Sequence, residues 1–170
     1  MRLFATTKFD HLQDLLVSQL EDLYDAEKRL IDALPKMASA AHDPELQQAF
    51  RQHLRETEGH VTRLEQVFRE LGREPNRETC DAMKGLISEG DEMINATGDP
   101  DVKDAALIAA AQRVEHYEIA GYGCVRTFAR RLGQTRIAEL LQQTLDEEGA
   151  ADKKLTDIAE RDVNLRARQS

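Results

Sequence analysis

Chemistry is expected first in the stretch Val114-Glu115-His116-Tyr117-Glu118-Ile119-Ala120-Gly121-Tyr122. Ile108, Ala111, Glu115, Glu118/Ile119, Tyr122 and Val125 recur at spacings of three and four, which is one face of a helix. Glu115 and Glu118 therefore point inward with Ile108 and Val125, and Arg113 and His116 point outward. A carboxylate is almost never buried unless it is paired or binds a metal. The same irregularity interrupts three other apolar stripes. Glu27 falls among Leu16, Leu20, Leu23, Leu30 and Leu34. His53 and His60 fall among Leu46, Phe50, Val61 and Leu64, with Glu56 bordering that face. Glu148 and Asp152 fall among Ile137, Leu141, Leu155 and Ile158.

Each of these polar groups lies near the middle of a run of some thirty residues, about 45 Å of helix at 1.5 Å per residue. Antiparallel packing would bring Glu27, Glu56, Glu115, Glu118, Glu148 and Asp152 to one level, together with at least one imidazole. Like charges at close range raise one another's pKa values, so six carboxylates cannot all stay ionised without cations. Two divalent metals would resolve the conflict, and a carboxylate and imidazole donor set suits iron or manganese. Di-iron and di-manganese bundles use one Glu from each of two helices and a Glu-x-x-His motif from each of the other two. Glu27 and Glu115 are then the single, terminal ligands. Glu56/His60 and Glu148/Asp152 are the paired motifs, both at i, i+4, with Glu56 and Glu148 as bridging groups. Glu118 adds a terminal or mobile carboxylate. The departures are the i, i+4 spacing and Asp152 where a second histidine is usual. His53-x-x-Glu56 offers a reversed i, i+3 alternative, so either His53 or His60 supplies the nitrogen and the other is a hydrogen-bonding neighbour. Tyr122 reads as a core tyrosine with a satisfied hydroxyl or as a neighbour of the metals. His11 and His42 read as structural, His116 as solvated, and Cys124 as facing another helix.

The elements that must position these residues are helices throughout. The first is expected over about 9–41, with Pro35 kinking it or ending its regular part. The second covers 44–71, begun by Asp43-Pro44-Glu45 as N-cap, first-turn proline and first-turn acid and ended by Gly72. The third covers about 100–132, begun by the similar Asp99-Pro100-Asp101 and ended by Gly133. The fourth covers about 135–165, with a frayed tail Arg166-Ala167-Arg168-Gln169-Ser170. The connection 72–99 is too long for a tight hairpin and carries a short helix between Cys80 and Ala96. Two hairpins joined by one long crossover make the chain all-α, a single ferritin-like four-helix bundle over 1–170.

The segments Asp25-Ala26-Glu27-Lys28, His53-Leu54-Arg55-Glu56-Thr57, Asp104 to Gln112, Val114 to Ala120 and Thr144 to Glu148 with Asp152 resemble the YciF/YciE-type family of bacterial stress proteins. That family belongs to the ferritin-like superfamily, with rubrerythrin and manganese catalase as distant relatives. The resemblance spans nearly the whole chain. It implies a ferritin-like homodimer with a carboxylate-rich metal site. It favours His53 and Glu56 as the characteristic pair, because close relatives carry glutamine at the position of His60.

Composition narrows the classes of function. The 170 residues contain 32 Asp and Glu against 23 Lys and Arg, a net charge of -9, which argues against binding a phosphate backbone. No stretch approaches the ~18 apolar residues that span a membrane, and Met1 to Lys8 is too poor in apolar residues for a signal peptide. Cys80 and Cys124 form no C-x-x-C pair, which excludes a thiolate zinc knuckle and suits a reducing, cytoplasmic setting. No phosphate loop or dinucleotide fingerprint is present. The reading is a stress-response protein with two iron or manganese ions per chain and peroxide or dioxygen as substrate. The alternative is a non-enzymatic dimer with a vestigial site.

Overall fold

The structure, a computed structural model, describes residues 8–169. Four long helices carry the fold: α1 (Leu12–Ala40), α2 (Pro44–Glu70), α4 (Pro100–Arg131) and α5 (Thr135–Ile158), with α3 (Asp81–Asn95) in the crossover. A π-helical turn (Ala159–Val163) and a last short helix, α6 (Asn164–Ala167), follow. Among the described residues there is no strand. Met1 to Thr7, most of the stretch judged too poor in apolar residues for a signal peptide, lies outside the described residues.

The helix ends follow from local chemistry. Asp43 accepts bonds from the backbone N–H groups of Glu45 (2.8 Å) and Leu46 (3.0 Å). Asp99 does the same for Asp101 (2.9 Å) and Val102 (3.1 Å). Each satisfies two donors that a helix start leaves free, and the following proline supplies no N–H there. Gly72 (φ 67°) and Gly133 (φ 73°) take the left-handed conformation after α2 and α4. The next N–H groups, of Arg73 and Gln134, then return to the carbonyls of Phe68 and Ala129, closing both helices with the Schellman pattern. Pro35 does not end α1. The helix continues five residues past it to Ala40, with Pro35 on the exposed side, where the carbonyl it leaves unbonded can meet water.

α1 packs on α2 and α4 on α5. α2 also meets α5, α1 meets α4, and α3 lies across α1 and α4. The crossover is fastened by Asp25, whose carboxylate accepts from Cys80 N–H (2.8 Å), Arg29 (2.6 Å) and Arg77 (2.5 Å). Buried Asp104 accepts from the backbone N–H groups of His42 (2.8 Å) and Asp43 (2.6 Å), pinning the α1–α2 turn to α4. The frayed tail expected from Arg166 is not what the structure shows. The π turn and α6 carry the helical chain on, and Arg166 reaches Asp43 (2.8 Å), the N-cap of α2, and Asp101 (2.7 Å) in the first turn of α4. Ser170 lies outside the described residues.

The core is two apolar layers. One joins Leu30, Leu34, Phe50, Met83, Leu107, Ile108, Leu155 and Ile158. The other joins Leu16, Leu20, Leu64, Phe68, Tyr122, Val125 and Leu141. Along each long helix the polar residues of interest fall between a residue of one layer and a residue of the other. Burying each leucine contributes about 1.5–3 kcal/mol. Holding an unpaired ion in the same interior costs several kcal/mol. The apolar layers therefore hold the bundle together, and the polar layer is a local cost.

Candidate metal centre

Six side chains of that middle layer are buried: Glu27, His60, Glu118 and Glu148 at 0 % exposure, Glu115 at 3 % and His53 at 6 %. They form two groups with ligand atoms within 4.8 Å of one another. One is His53, Glu115, Glu118 and Glu148; the other is Glu27, His60 and Glu148. Glu148 is common to both.

The two imidazoles are set in the same way. His53 Nε2 faces the interior, 3.3 Å from Glu115 and 3.7 Å from Glu148. Its Nδ1 faces outward, 3.4 Å from Glu56. His60 Nδ1 faces the interior, 3.0 Å from Glu148 and 3.4 Å from Glu27. Its Nε2 faces outward, 2.8 Å from Glu147. In each ring one nitrogen is turned outward to a carboxylate, the kind of partner that fixes a histidine's tautomer and orientation, and the other faces the inner carboxylates. Both rings therefore lie in the buried layer, His53 in one group and His60 in the other.

Eight atoms of these six side chains are buried without a hydrogen-bond partner: Glu27 Oε2, His53 Nε2, His60 Nδ1, Glu115 Oε2, both oxygens of Glu118 and both of Glu148. Such atoms are rare and costly in a folded protein. Here they converge on one volume and comprise carboxylate oxygens and imidazole nitrogens, the donor set of iron and manganese. The residues present therefore fit a pair of such ions.

Electrostatics agree. Burial raises the pKa of Glu115; His53 opposes this and the nearby Glu148 adds to it, for a result of about 8. Burial, then Glu148, Glu27 and Glu115, push Glu118 well above the usual carboxylate range. Burial also raises Glu27, against the attraction of His60. The imidazoles move up despite burial. Glu115, Glu56 and Glu148 raise His53 to about 9, and Glu148 and Glu27 raise His60 to about 11. In the metal-free protein these shifts favour the protonated forms of the buried carboxylic acids and imidazoles.

Glu56 and Asp152 stand elsewhere. Glu56 lies three residues past His53, about 60° around the helix. Its side chain is about one-third exposed, accepts from Gln52 (2.8 Å), and belongs to neither group. Asp152 lies four residues past Glu148, about 40° around. It accepts from Gln112 (3.1 Å) and sits 3.3 Å from the exposed ring of His116. Cys124 is exposed and borders a shallow hollow shared with Gln19, Asp22 and Leu23 of α1. His11 offers its backbone N–H to Asp14 at the start of α1. Tyr122 is fully buried and donates to Glu27, so it is both a core residue and a neighbour of the centre.

Glu147 is the residue that sequence reasoning missed. Besides His60 it receives both guanidinium nitrogens of Arg63, at 3.0 and 3.1 Å, and Arg63 also donates to Thr144 (2.5 Å). The available signal was Arg63 one turn after His60, a cation on the edge of the stripe able to hold an acid against the ring.

With this geometry in view, the comparisons place the chain. Residues 11–168 match the family model described as a domain of unknown function, DUF892. Protein YciF of Escherichia coli K12 is 49 % identical over 157 residues, covering 92 % of this chain and 95 % of YciF. The crystal structure of the E. coli stress protein YciF superposes with a TM-score of 0.88 at 48 % identity, covering 92 % of this chain and 99 % of that one. The YcfI protein of Rhodopseudomonas palustris superposes with a TM-score of 0.86 at 43 % identity, covering 90 % and 98 %. A Xanthomonas campestris protein at 24 % identity shares the fold, with a TM-score of 0.73 over 94 % and 100 %. Matched along the whole bundle by the family model and at nearly half its positions by YciF, this chain belongs to the YciF-like DUF892 family.

Proposed function

We propose that the bundle binds two iron or manganese ions and uses them in redox chemistry with dioxygen or peroxide, as part of a stress response like the one for which its E. coli relative is named. The observation that carries this reading is the convergence of eight unpartnered buried donor atoms from six side chains on four helices. His53, Glu115 and Glu118 would hold one ion and Glu27 and His60 the other, with Glu148 between them. The metals, when bound, supply the change of redox state that no side chain here can provide. The chain's own residues do the rest. Glu56 and Glu147 orient the two rings, Tyr122 holds Glu27 by its hydroxyl, and the two apolar layers close the polar layer off above and below.

The test is metal content after anaerobic reconstitution with Fe(II) or Mn(II), followed by consumption of dioxygen and of peroxide. About two ions per chain with turnover, both lost in Glu115→Ala, is the expected result. Fewer than about one ion per chain sinks the reading. Full loading without turnover of either oxidant would favour the second reading, a non-enzymatic protein with a structural or vestigial site. The closed surroundings of His60, whose outward nitrogen is covered by Glu147 and Arg63, fit that reading.

A further inference from the structure

Two hollows reach the His53 group from different sides. One, about 160 Å³, lies between α2 and α5 and is bordered by Gln52, Glu56, Glu147 and Lys154 before it meets His53 and Glu115. The other, about 40 Å³, lies beneath α3. Leu34, Met37, Phe50, Leu86, Ile87 and Ile94 contribute to its hydrocarbon wall, and its polar lining is limited to His53, Glu115 and Asp91. Its volume exceeds the roughly 10–15 Å³ that one water-sized molecule requires. Apart from those three side chains the wall is hydrocarbon, so it holds water weakly, since an ordered water needs two to four polar partners around one point. Hydrogen peroxide fares worse, since it brings two donors and two acceptor oxygens into a wall that can pair few of them. A diatomic gas has no such requirement. Gly90 of α3 is buried on this wall, and a Cβ added there would meet no atom within 4 Å. The hollow therefore has room that a larger residue at this position would take.

We propose that the cavity under α3 is a binding site for dioxygen, set against His53 and Glu115. This deepens the metal-centre reading, on which the use of the gas rests, by selecting dioxygen over peroxide as the oxidant. Occupancy of the cavity does not depend on metal and can be tested without it. The polar hollow between α2 and α5 is the side from which water and hydrated cations reach the same group.

The probe is dioxygen itself, which is paramagnetic and speeds the relaxation of methyl protons beside it. In the metal-free full-length protein under oxygen pressure, the methyls of Leu34, Ile87 and Ile94 should relax several-fold faster than those of Leu16 and Leu141 in the other apolar layer. Xenon should compete the effect away. Gly90→Leu, which fills the hollow, should abolish the excess and leave metal stoichiometry at the wild-type value. Gly90→Ala, which meets no neighbour, folds as the parent does and should reduce it in part. Equal enhancement in both layers, or an excess unchanged in both Gly90 variants, overturns the site. Metal content is measured on the same samples. A cavity that takes up gas in a chain that loads no metal would refute the proposed function and uphold this site.

Discussion

The two halves of the buried layer contain the same kinds of donor and differ in what lies behind them. Behind His53 stands Glu56, about one-third exposed and steadied by Gln52. Two hollows open onto that ring and onto Glu115. Behind His60 stands Glu147, clamped by both nitrogens of Arg63, while Tyr122 bonds the Glu27 carboxylate on the same side. Neither hollow is lined by His60, Glu27 or Glu118. One half of the site is open and the other closed, although a single carboxylate, Glu148, belongs to both. Both outer glutamates are part-exposed and border the hollow between α2 and α5; what differs is that the hollows reach the His53 ring and not the His60 ring, whose outward nitrogen is covered by Glu147 held on Arg63.

The largest effect that could break this comparison is the loss of the shared group. Glu148→Ala should remove both ions, read as metal per chain after reconstitution and desalting. Retention of one full ion would show that the halves are independent. Next come the single-sided variants. His53→Ala and His60→Ala should each leave about one ion per chain, and the ion remaining in His60→Ala, at the open end, should pass to a chelator the faster of the two. Equal rates would remove the open-and-closed distinction.

Glu118 offers a test in the opposite sense. Both its oxygens are buried without partners, so in the metal-free protein Glu118→Leu should raise stability by about 1–3 kcal/mol, the cost of leaving a buried polar group unsatisfied. Urea unfolding would read it. A metal-free Glu118→Leu protein less stable than its parent would mean that the carboxylate is already satisfied. Smaller again is the cost of loosening one outer partner. Glu56→Gln should weaken metal binding by roughly 10–100-fold, and calorimetric titration would show whether it affects one ion only, as the comparison requires.

The finest measure is pH. His53, raised from 6.5 to about 9, stabilises the metal-free fold at low pH, and that contribution fades as pH climbs through 9. Glu115, raised from 4.5 to about 8, keeps its proton in the fold while the unfolded chain sheds it, so it destabilises increasingly over that interval. Both act in one direction. The melting temperature of metal-free protein should fall between about pH 6 and pH 8.5, and the increment conferred by metal should widen. A flat or rising metal-free profile would show that protons do not hold the layer.

Much of this molecule could be read from periodicity. Glu27, Glu115, Glu118 and Glu148 each replace an apolar residue on a stripe that must be buried, and burial alone marks them. The Asp-Pro starts and glycine ends are local chemistry, formed by atoms a few residues apart, and they stand where the sequence puts them. Glu56 and Asp152 show the limit of spacing. Residues three or four apart share a face only to within some tens of degrees, and at a helix edge that separates a ligand position from a surface one. Whether His53 or His60 mattered was open for the same reason. One helix face carries both rings, and only the approach of Glu115 to one and Glu27 to the other shows that they serve different groups.

By itself, then, the sequence determined an all-helical bundle and a buried acidic layer across its middle, because hydrophobic period and helix capping depend on neighbours along the chain. Tertiary structure decided the division of that layer into two groups around Glu148, the recruitment of Glu147 and Arg63, and the contrast between an open and a closed end. Each of these depends on the rotation and height of one helix against another, which side-chain packing sets across distances that no spacing within a single helix encodes.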